Sequence, residues 1–144
     1  MMRNTTPDPI THERRVRALA AAGAALALAA VAAGAFGAHA LKNSVAPERL
    51  AAFETAVRYQ LVHALALFAC AWALQSWPSR AALAAGACFL CGTLLFSGSL
   101  YALVLCDQPR LGLVTPLGGV AFLAGWILLI RAVTKPNISS RTVR

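Results

Sequence analysis

The side chains of this sequence that could carry chemistry are polar groups embedded in long uncharged stretches. Polar residues at membrane depth are expensive, so they are the first place to look for function. The candidate cluster comprises His39, Tyr59, Gln60, His63, Ser97, Ser99, Tyr101 and Thr115. Its two histidines are the most versatile members, because an imidazole gains or loses a proton near neutral pH.

The spacing of these residues from the nearest charges predicts a shared depth. His63 follows Arg58 by five residues, which places it about 7 Å deeper along a helix. Tyr101 precedes Asp107 by a similar distance. The pattern predicts a polar cluster, or a shallow cavity that opens to the non-cytoplasmic side, in the outer half of the bilayer. A network of interhelical hydrogen bonds, each worth about 0.6 kcal/mol, explains the same residues.

The sequence offers little support for catalysis or metal binding. Cys88 and Cys91 form a C-x-x-C, while Cys70 and Cys106 stand alone. Buried cysteines usually behave as small hydrophobic residues. No Walker loop, HExxH zinc motif or GxSxG elbow occurs, and no nucleophile–base pair is evident. We therefore expect no enzyme activity, no metal and no cofactor.

Composition places these residues in a membrane protein. Hydrophobic residues make up 59% of the 144 residues and charged residues only 12%, against about 45–50% and about 25% in soluble domains. The net charge is +8. The basic residues flank apolar stretches and do not gather on one face, so we expect no nucleic-acid partner.

Four uncharged runs are long enough to cross about 30 Å of hydrocarbon as helices. We predict an all-α, integral membrane four-helix bundle over 18–130, with a basic flexible cytoplasmic leader (1–17) and a basic cytoplasmic tail (131–144). The predicted spans are 18–41, 59–79, 81–106 and 111–130. A signal peptide ending at Ala38-His39-Ala40 competes with the first span, but its apolar core would be unusually long.

The connection from Lys42 to Arg58 is amphipathic. Leu50, Phe53 and Val57 recur at helical spacing. This pattern predicts a short amphipathic helix between the first and second spans. An N-terminal extension of the second span accounts for it equally well.

The distribution of basic residues predicts the orientation. Nine Lys and Arg residues lie on the side of the two ends and the turn at Arg80, against four on the other side. The positive-inside rule therefore places both termini in the cytoplasm.

Small residues four apart mark predicted helix-packing faces. Such rows let helix backbones approach closely in a membrane. The rows are Ala30, Gly34 and Ala38 on the first span, and Ala84, Cys88 and Gly92 on the third.

Four sequence blocks resemble one protein family. They are GAFGAHALK at 34–42, YQ with HALAL at 59–67, LFSGSLY at 95–101 and TPLGG at 115–119. In order and spacing, over roughly 17–133, they resemble the YgdD/YwdK-like small inner-membrane proteins (domain of unknown function 423, UPF0382). The stretch before Arg14 extends beyond the shorter family pattern. The resemblance implies a multi-pass protein of the bacterial inner membrane without an established activity, and it assigns no catalytic residue.

Two functions are therefore open. The small-residue rows favour a structural, assembly or interaction role, with a membrane-protein partner or a homo-oligomer. The polar cluster favours an oligomeric carrier or sensor of protons or a small solute.

Overall fold

The described part of the protein folds into four long helices. The computed structural model describes residues 8–135. Its long helices are α1 (Pro9–Phe36), α2 (Pro47–Ser76), α3 (Arg80–Leu105) and α4 (Thr115–Thr134). A π-helical segment (Gly37–Leu41) continues α1, and a 3₁₀ segment (Pro109–Leu113) precedes α4. Residues 8–135 contain no β-strand, and four helices are long and apolar enough to cross a membrane, which confirms the all-α membrane fold.

The helices begin where their sequences supply starting signals. Pro9 and Pro47 stand in the first turns of α1 and α2, where a missing N–H costs nothing. The Ser79 hydroxyl caps α3 by accepting from the Ala81 and Ala82 N–H groups, at 3.1 and 3.3 Å. The two-residue link Trp77–Pro78 before this cap forces α2 and α3 to run antiparallel.

Two helices extend into the predicted leader and tail. α1 begins at Pro9, so it includes the last nine residues of the predicted leader. α4 ends at Thr134, within the predicted tail. The remainder of the leader, residues 1–7, and of the tail, residues 136–144, lies outside the described residues.

The amphipathic stretch before the second span is not a separate helix in the described chain. Residues 47–58 form the first turns of α2, which continues unbroken to Ser76. No glycine or internal proline interrupts it, and the buried residues Phe53, Ala56, Gln60 and His63 keep one helical phase. The structure therefore shows the alternative, an extension of the second span.

The helices pack in chain order rather than as a closed ring. α1 lies along α2, α2 along α3, and α3 along α4, whereas α2 touches α4 only slightly and α1 and α4 share no extensive contact. α2 and α3 therefore form the centre, where Leu67, Leu74 and Phe89 are fully buried. α1 and α4 are edge helices whose outer faces are free to meet lipid.

α3 and α4 approach closely through interlocking glycines and phenylalanines. A Cβ at Gly92 would lie 2.5 Å from the Phe122 ring, and one at Gly125 would lie 2.6 Å from Phe89. A Cβ at Gly118 would meet the backbone of Phe96. The Phe122 and Phe89 rings therefore each occupy the space that a side chain on the facing helix would fill. The three pairs follow the antiparallel register of the two helices.

Both longer connections lie at the same end of the bundle. We call this end the loop side, defined by residues 42–46 and 106–114. The Arg49 guanidinium donates to the Asp107 carboxylate, which joins the start of α2 to the turn after α3. Asp107 adopts a φ of 52°, a left-handed conformation that aspartate tolerates better than most residues.

Candidate functional site

His63 is the most enclosed titratable side chain among the predicted site residues. Only 4% of its surface is exposed. Its Nδ1 donates to the carbonyl of Tyr59, at 2.8 Å, because a carbonyl oxygen can only accept. Its Nε2 accepts from Trp126 Nε1, at 3.3 Å. Both ring nitrogens are therefore used, and the pattern fits the neutral imidazole with its proton on Nδ1.

Aromatic rings hold the His63 imidazole on several sides. Phe122 stacks on it with a centroid separation of 3.4 Å and an interplanar angle of 7°. Phe89 and Trp126 meet it at tilted angles, at 5.5 and 6.1 Å. The imidazole thus joins α2 to α4 through an aromatic stack and one hydrogen bond.

Two other predicted polar residues bond to the main chain of a neighbouring helix. Gln60 Nε2 donates to the Leu26 carbonyl at 2.9 Å, which joins α2 to α1. Ser97 Oγ donates to the Ala56 carbonyl at 2.8 Å, which joins α3 to α2. Helix carbonyls can accept these bonds because each oxygen has a second lone pair.

Ser99 and Thr115 form a hydroxyl pair between α3 and α4. Ser99 Oγ donates to the Phe96 carbonyl at 2.9 Å. Its only proton is then used, so Thr115 Oγ1 is the donor in their 2.8 Å contact. The pair lies beside the Gly118–Phe96 approach and fixes the start of α4.

Tyr59 borders a groove between α2 and α4. Its ring stacks on Phe96 with centroids 4.4 Å apart. The groove has a volume of about 490 Å³ and lies over Phe96 and Phe122. Its walls are Tyr59, Val62, His63, Pro116, Gly119, Val120, Leu123 and Trp126.

Tyr101 and His39 lie apart from these contacts. The Tyr101 ring packs on Phe53 with centroids 4.9 Å apart. Its hydroxyl is buried and has no hydrogen-bond partner among the described residues. His39 lies on the π-helical segment and is exposed.

The structure thus spreads the eight predicted polar residues over several contacts. Ser99 meets Thr115, and Tyr59 lies beside His63 with ring centroids 6.0 Å apart. Gln60 and Ser97 bind main-chain carbonyls of adjacent helices.

The predicted packing rows are placed unevenly. Ala30 and Gly92 are buried, and Gly34 approaches Val57. Ala84 and Cys88 are partly exposed, and Ala38 is exposed. The buried face of α3 instead follows Ala82, Ala85, Gly86, Phe89 and Gly92.

Several residues of the site were not predicted from the sequence. Trp126 and Phe122, which contact His63, lie on α4 with Gly118 at four-residue spacing. That spacing places all three on one helix face and was the available signal. Within residues 8–135, no group of three or more His, Cys, Asp and Glu side chains could hold a metal ion. All four cysteines are free thiols.

These features define a class: a small integral membrane protein of four helices, joined by buried polar and aromatic contacts. The family described as "Protein of unknown function (DUF423)" matches residues 33–119. The chain belongs to this family, as its sequence blocks indicated.

Its relatives are membrane proteins. The UPF0382 membrane protein YwdK of Bacillus subtilis (strain 168) is 42% identical over 71% of this chain and 84% of its own length. The UPF0382 inner membrane protein YgdD of Escherichia coli (strain K12) is 42% identical over 67% of this chain and 74% of its own length. No solved structure is significantly similar to the chain.

Proposed function

We propose that the chain is a structural or assembly protein of the bacterial inner membrane that packs against another membrane protein or a second copy of itself. The observation that carries this proposal is the use of the buried polar groups. Gln60, His63, Ser97 and Ser99 all bond to the protein's own helices. Groups used in this way hold a bundle together and are not free to bind a solute.

The exposed face of α1 is the surface that we assign to association. α1 packs mainly against α2, and its buried residues are Leu19, Gly23 and Ala30. Its other side carries exposed small residues, including Ala25 and Ala32, beside the exposed side chains Leu28 and Val31. Helices associate in membranes through close packing of small residues, because hydrophobic burial gains nothing in lipid.

Copy-number measurement and purification from membranes test this proposal. Ala25→Phe and Ala32→Phe place bulk on the exposed face without touching the internal packing. Ala87→Phe adds the same ring to the exposed side of α3 and is the matched control. We expect the wild type and the control to retain a stoichiometric partner or second copy, and the two α1 variants to lose it. A monomeric wild type without a stoichiometric partner would exclude the proposal.

A second candidate function is an oligomeric carrier or sensor of protons or a small solute. The observation that favours it is the groove beside His63, which has room for a small molecule. Proton flux into vesicles containing the purified protein, measured for the wild type, His39→Ala and His63→Ala, tests it. The carrier function predicts a flux that both variants abolish while they still insert and fold. Equal flux in all three proteins would eliminate it.

The orientation and the remaining assignments belong to the same proposal. The excess of Lys and Arg beside the two ends and Arg80 supports cytoplasmic termini. We assign no enzymatic activity, since no nucleophile–base pair occurs among the candidate site residues. The proposed partners are lipid and membrane protein, not nucleic acid.

A further inference from the structure

The groove between α2 and α4 opens towards the surrounding hydrocarbon. It exists because the backbones of α2 and α4 lie apart, with His63 as the side chain that joins them, and because Gly119 contributes no side chain to the wall. A Cβ added at Gly119 would have a single neighbour, the Phe96 ring at 4.0 Å. The protein itself therefore does not fill this space, and the packed rings of Phe96 and Phe122 line its base.

The length of the groove matches one leaflet. Its α4 wall runs from Pro116 to Trp126, a rise of about 15 Å. This is half of the roughly 30 Å hydrocarbon thickness of a bilayer. The groove begins near the loop side and ends near mid-bilayer, as one acyl chain does.

A cation stands at the mouth of the groove. Arg58 precedes Val62 by four residues, so it lies one helical turn above that wall residue on the same face of α2. Arg58 is exposed and forms no ion pair within residues 8–135, including with Glu54 one turn further out. The half-exposed Tyr59, next to Arg58 in the chain, lines the groove.

We infer that this groove binds one anionic phospholipid, with an acyl chain along Phe96 and Gly119 and the phosphate at Arg58. An apolar groove of leaflet length below a guanidinium that has no ion pair in residues 8–135 complements an amphiphile with a negative headgroup. A neutral apolar molecule would leave the cation unused, and a partner helix is wider than the space left by one missing side chain. This inference does not depend on the proposed assembly function.

Two variants, each with a matched control, test the groove and the headgroup site separately. Gly119→Leu fills the groove, while Gly98→Leu adds the same side chain on α3, where a Cβ meets nothing within 4 Å. Arg58→Gln removes the cation at the groove, while Lys42→Gln removes an exposed cation from the same side of the membrane.

Quenching of Trp126 fluorescence by brominated lipid measures occupancy of the groove. Trp72→Phe and Trp77→Phe leave Trp126 as the only tryptophan, since the chain has three. The full-length protein is reconstituted into phosphatidylcholine vesicles with a minor fraction of brominated phosphatidylglycerol. The reciprocal sample contains brominated phosphatidylcholine as the minor fraction in phosphatidylglycerol.

The expected result is a preference of about fivefold for phosphatidylglycerol at Trp126, the effect of one basic residue on an anionic lipid. Arg58→Gln should abolish the preference and Gly119→Leu should reduce quenching by both lipids. Gly98→Leu and Lys42→Gln should leave both properties unchanged. Equal quenching by the two lipids, or quenching by neither because a protein covers Trp126, would overturn the inference.

Discussion

At the scale of single residues, the polar side chains of the spans act mainly as cross-links between helices. Gln60 and Ser97 bond to carbonyls that already accept bonds within their own helices. Such a bond needs a polar side chain on only one of the two helices, because the other helix contributes a main-chain carbonyl. Tyr101 is the exception, because its buried hydroxyl is unpaired among the described residues.

This difference predicts opposite effects for two hydroxyl deletions. Tyr101→Phe removes an unpaired polar atom and keeps the ring on Phe53, so the free energy of unfolding should rise by about 1 kcal/mol or stay the same. Ser97→Ala removes a bond to Ala56 and should lower it by about 0.5–1.5 kcal/mol. Unfolding in mixed micelles with increasing dodecyl sulfate measures both. A loss of stability in Tyr101→Phe as large as in Ser97→Ala would show that the hydroxyl has a partner.

The sequence predicts which polar residues lie in the membrane but not which groups they contact. Residue type and distance from the nearest charge are enough to place His63 below Arg58. Its partners are a backbone carbonyl and Trp126, an amphipathic side chain that is grouped with the hydrophobic residues in the composition. Main-chain acceptors leave no mark in a sequence, so the contact of Gln60 with Leu26 could not be foreseen either.

At the scale of elements, the α3–α4 pair depends on missing side chains. Gly118 faces the backbone of Phe96, and a backbone cannot move aside as the end of a flexible side chain can. Gly118 therefore limits how closely α3 and α4 can approach each other.

Adding one methyl group at Gly118 should separate the two helices. We expect Gly118→Ala to lower the free energy of unfolding by about 1–3 kcal/mol, the usual cost of overpacking. Gly98→Ala has open space around the new methyl group and should be neutral or stabilising by up to about 1 kcal/mol. The same micelle titration compares the two variants. Equal stability of Gly118→Ala and Gly98→Ala would mean that the helices do not meet at Gly118.

The turn after α3 supplies a second prediction for an element. Asp107 combines a left-handed backbone with an exposed ion pair to Arg49. Asp107→Asn removes the ion pair but still tolerates the left-handed backbone. It should lower the free energy of unfolding by less than about 1 kcal/mol, the usual contribution of an exposed ion pair. Asp107→Val places a β-branched residue at positive φ and should cost about 1–2 kcal/mol. If the asparagine variant were the less stable one, the ion pair rather than the backbone would control this turn.

Helix existence could be read from the sequence far better than helix ends. An uncharged run must close its backbone bonds internally in hydrocarbon, so each of the four runs had to be helical. Outside the bilayer, hydrophobicity does not determine where a helix ends. The first residues of α1 and α2 are therefore set by Pro9 and Pro47. The π-helical turn around His39 has no sequence signal of this kind.

At the scale of the whole molecule, the open order of the helices leaves two different edges. α1 offers a face rich in small residues, which suits another helix, and α4 borders a groove of leaflet length, which suits a lipid chain. The proposed protein contact and lipid contact therefore lie on opposite edges and can form together.

Four crossings are the feature on which every other conclusion depends, because they bring both loops and the polar residues below them to one side. Reporter fusions at the N-terminus, at the C-terminus and at Asn43 in the first loop measure this directly in living bacteria. We predict that a reporter active only in the cytoplasm gives signal at both ends, and that one active only outside the cytoplasm gives signal at Asn43. Ends that report opposite sides of the membrane would contradict the four-span arrangement.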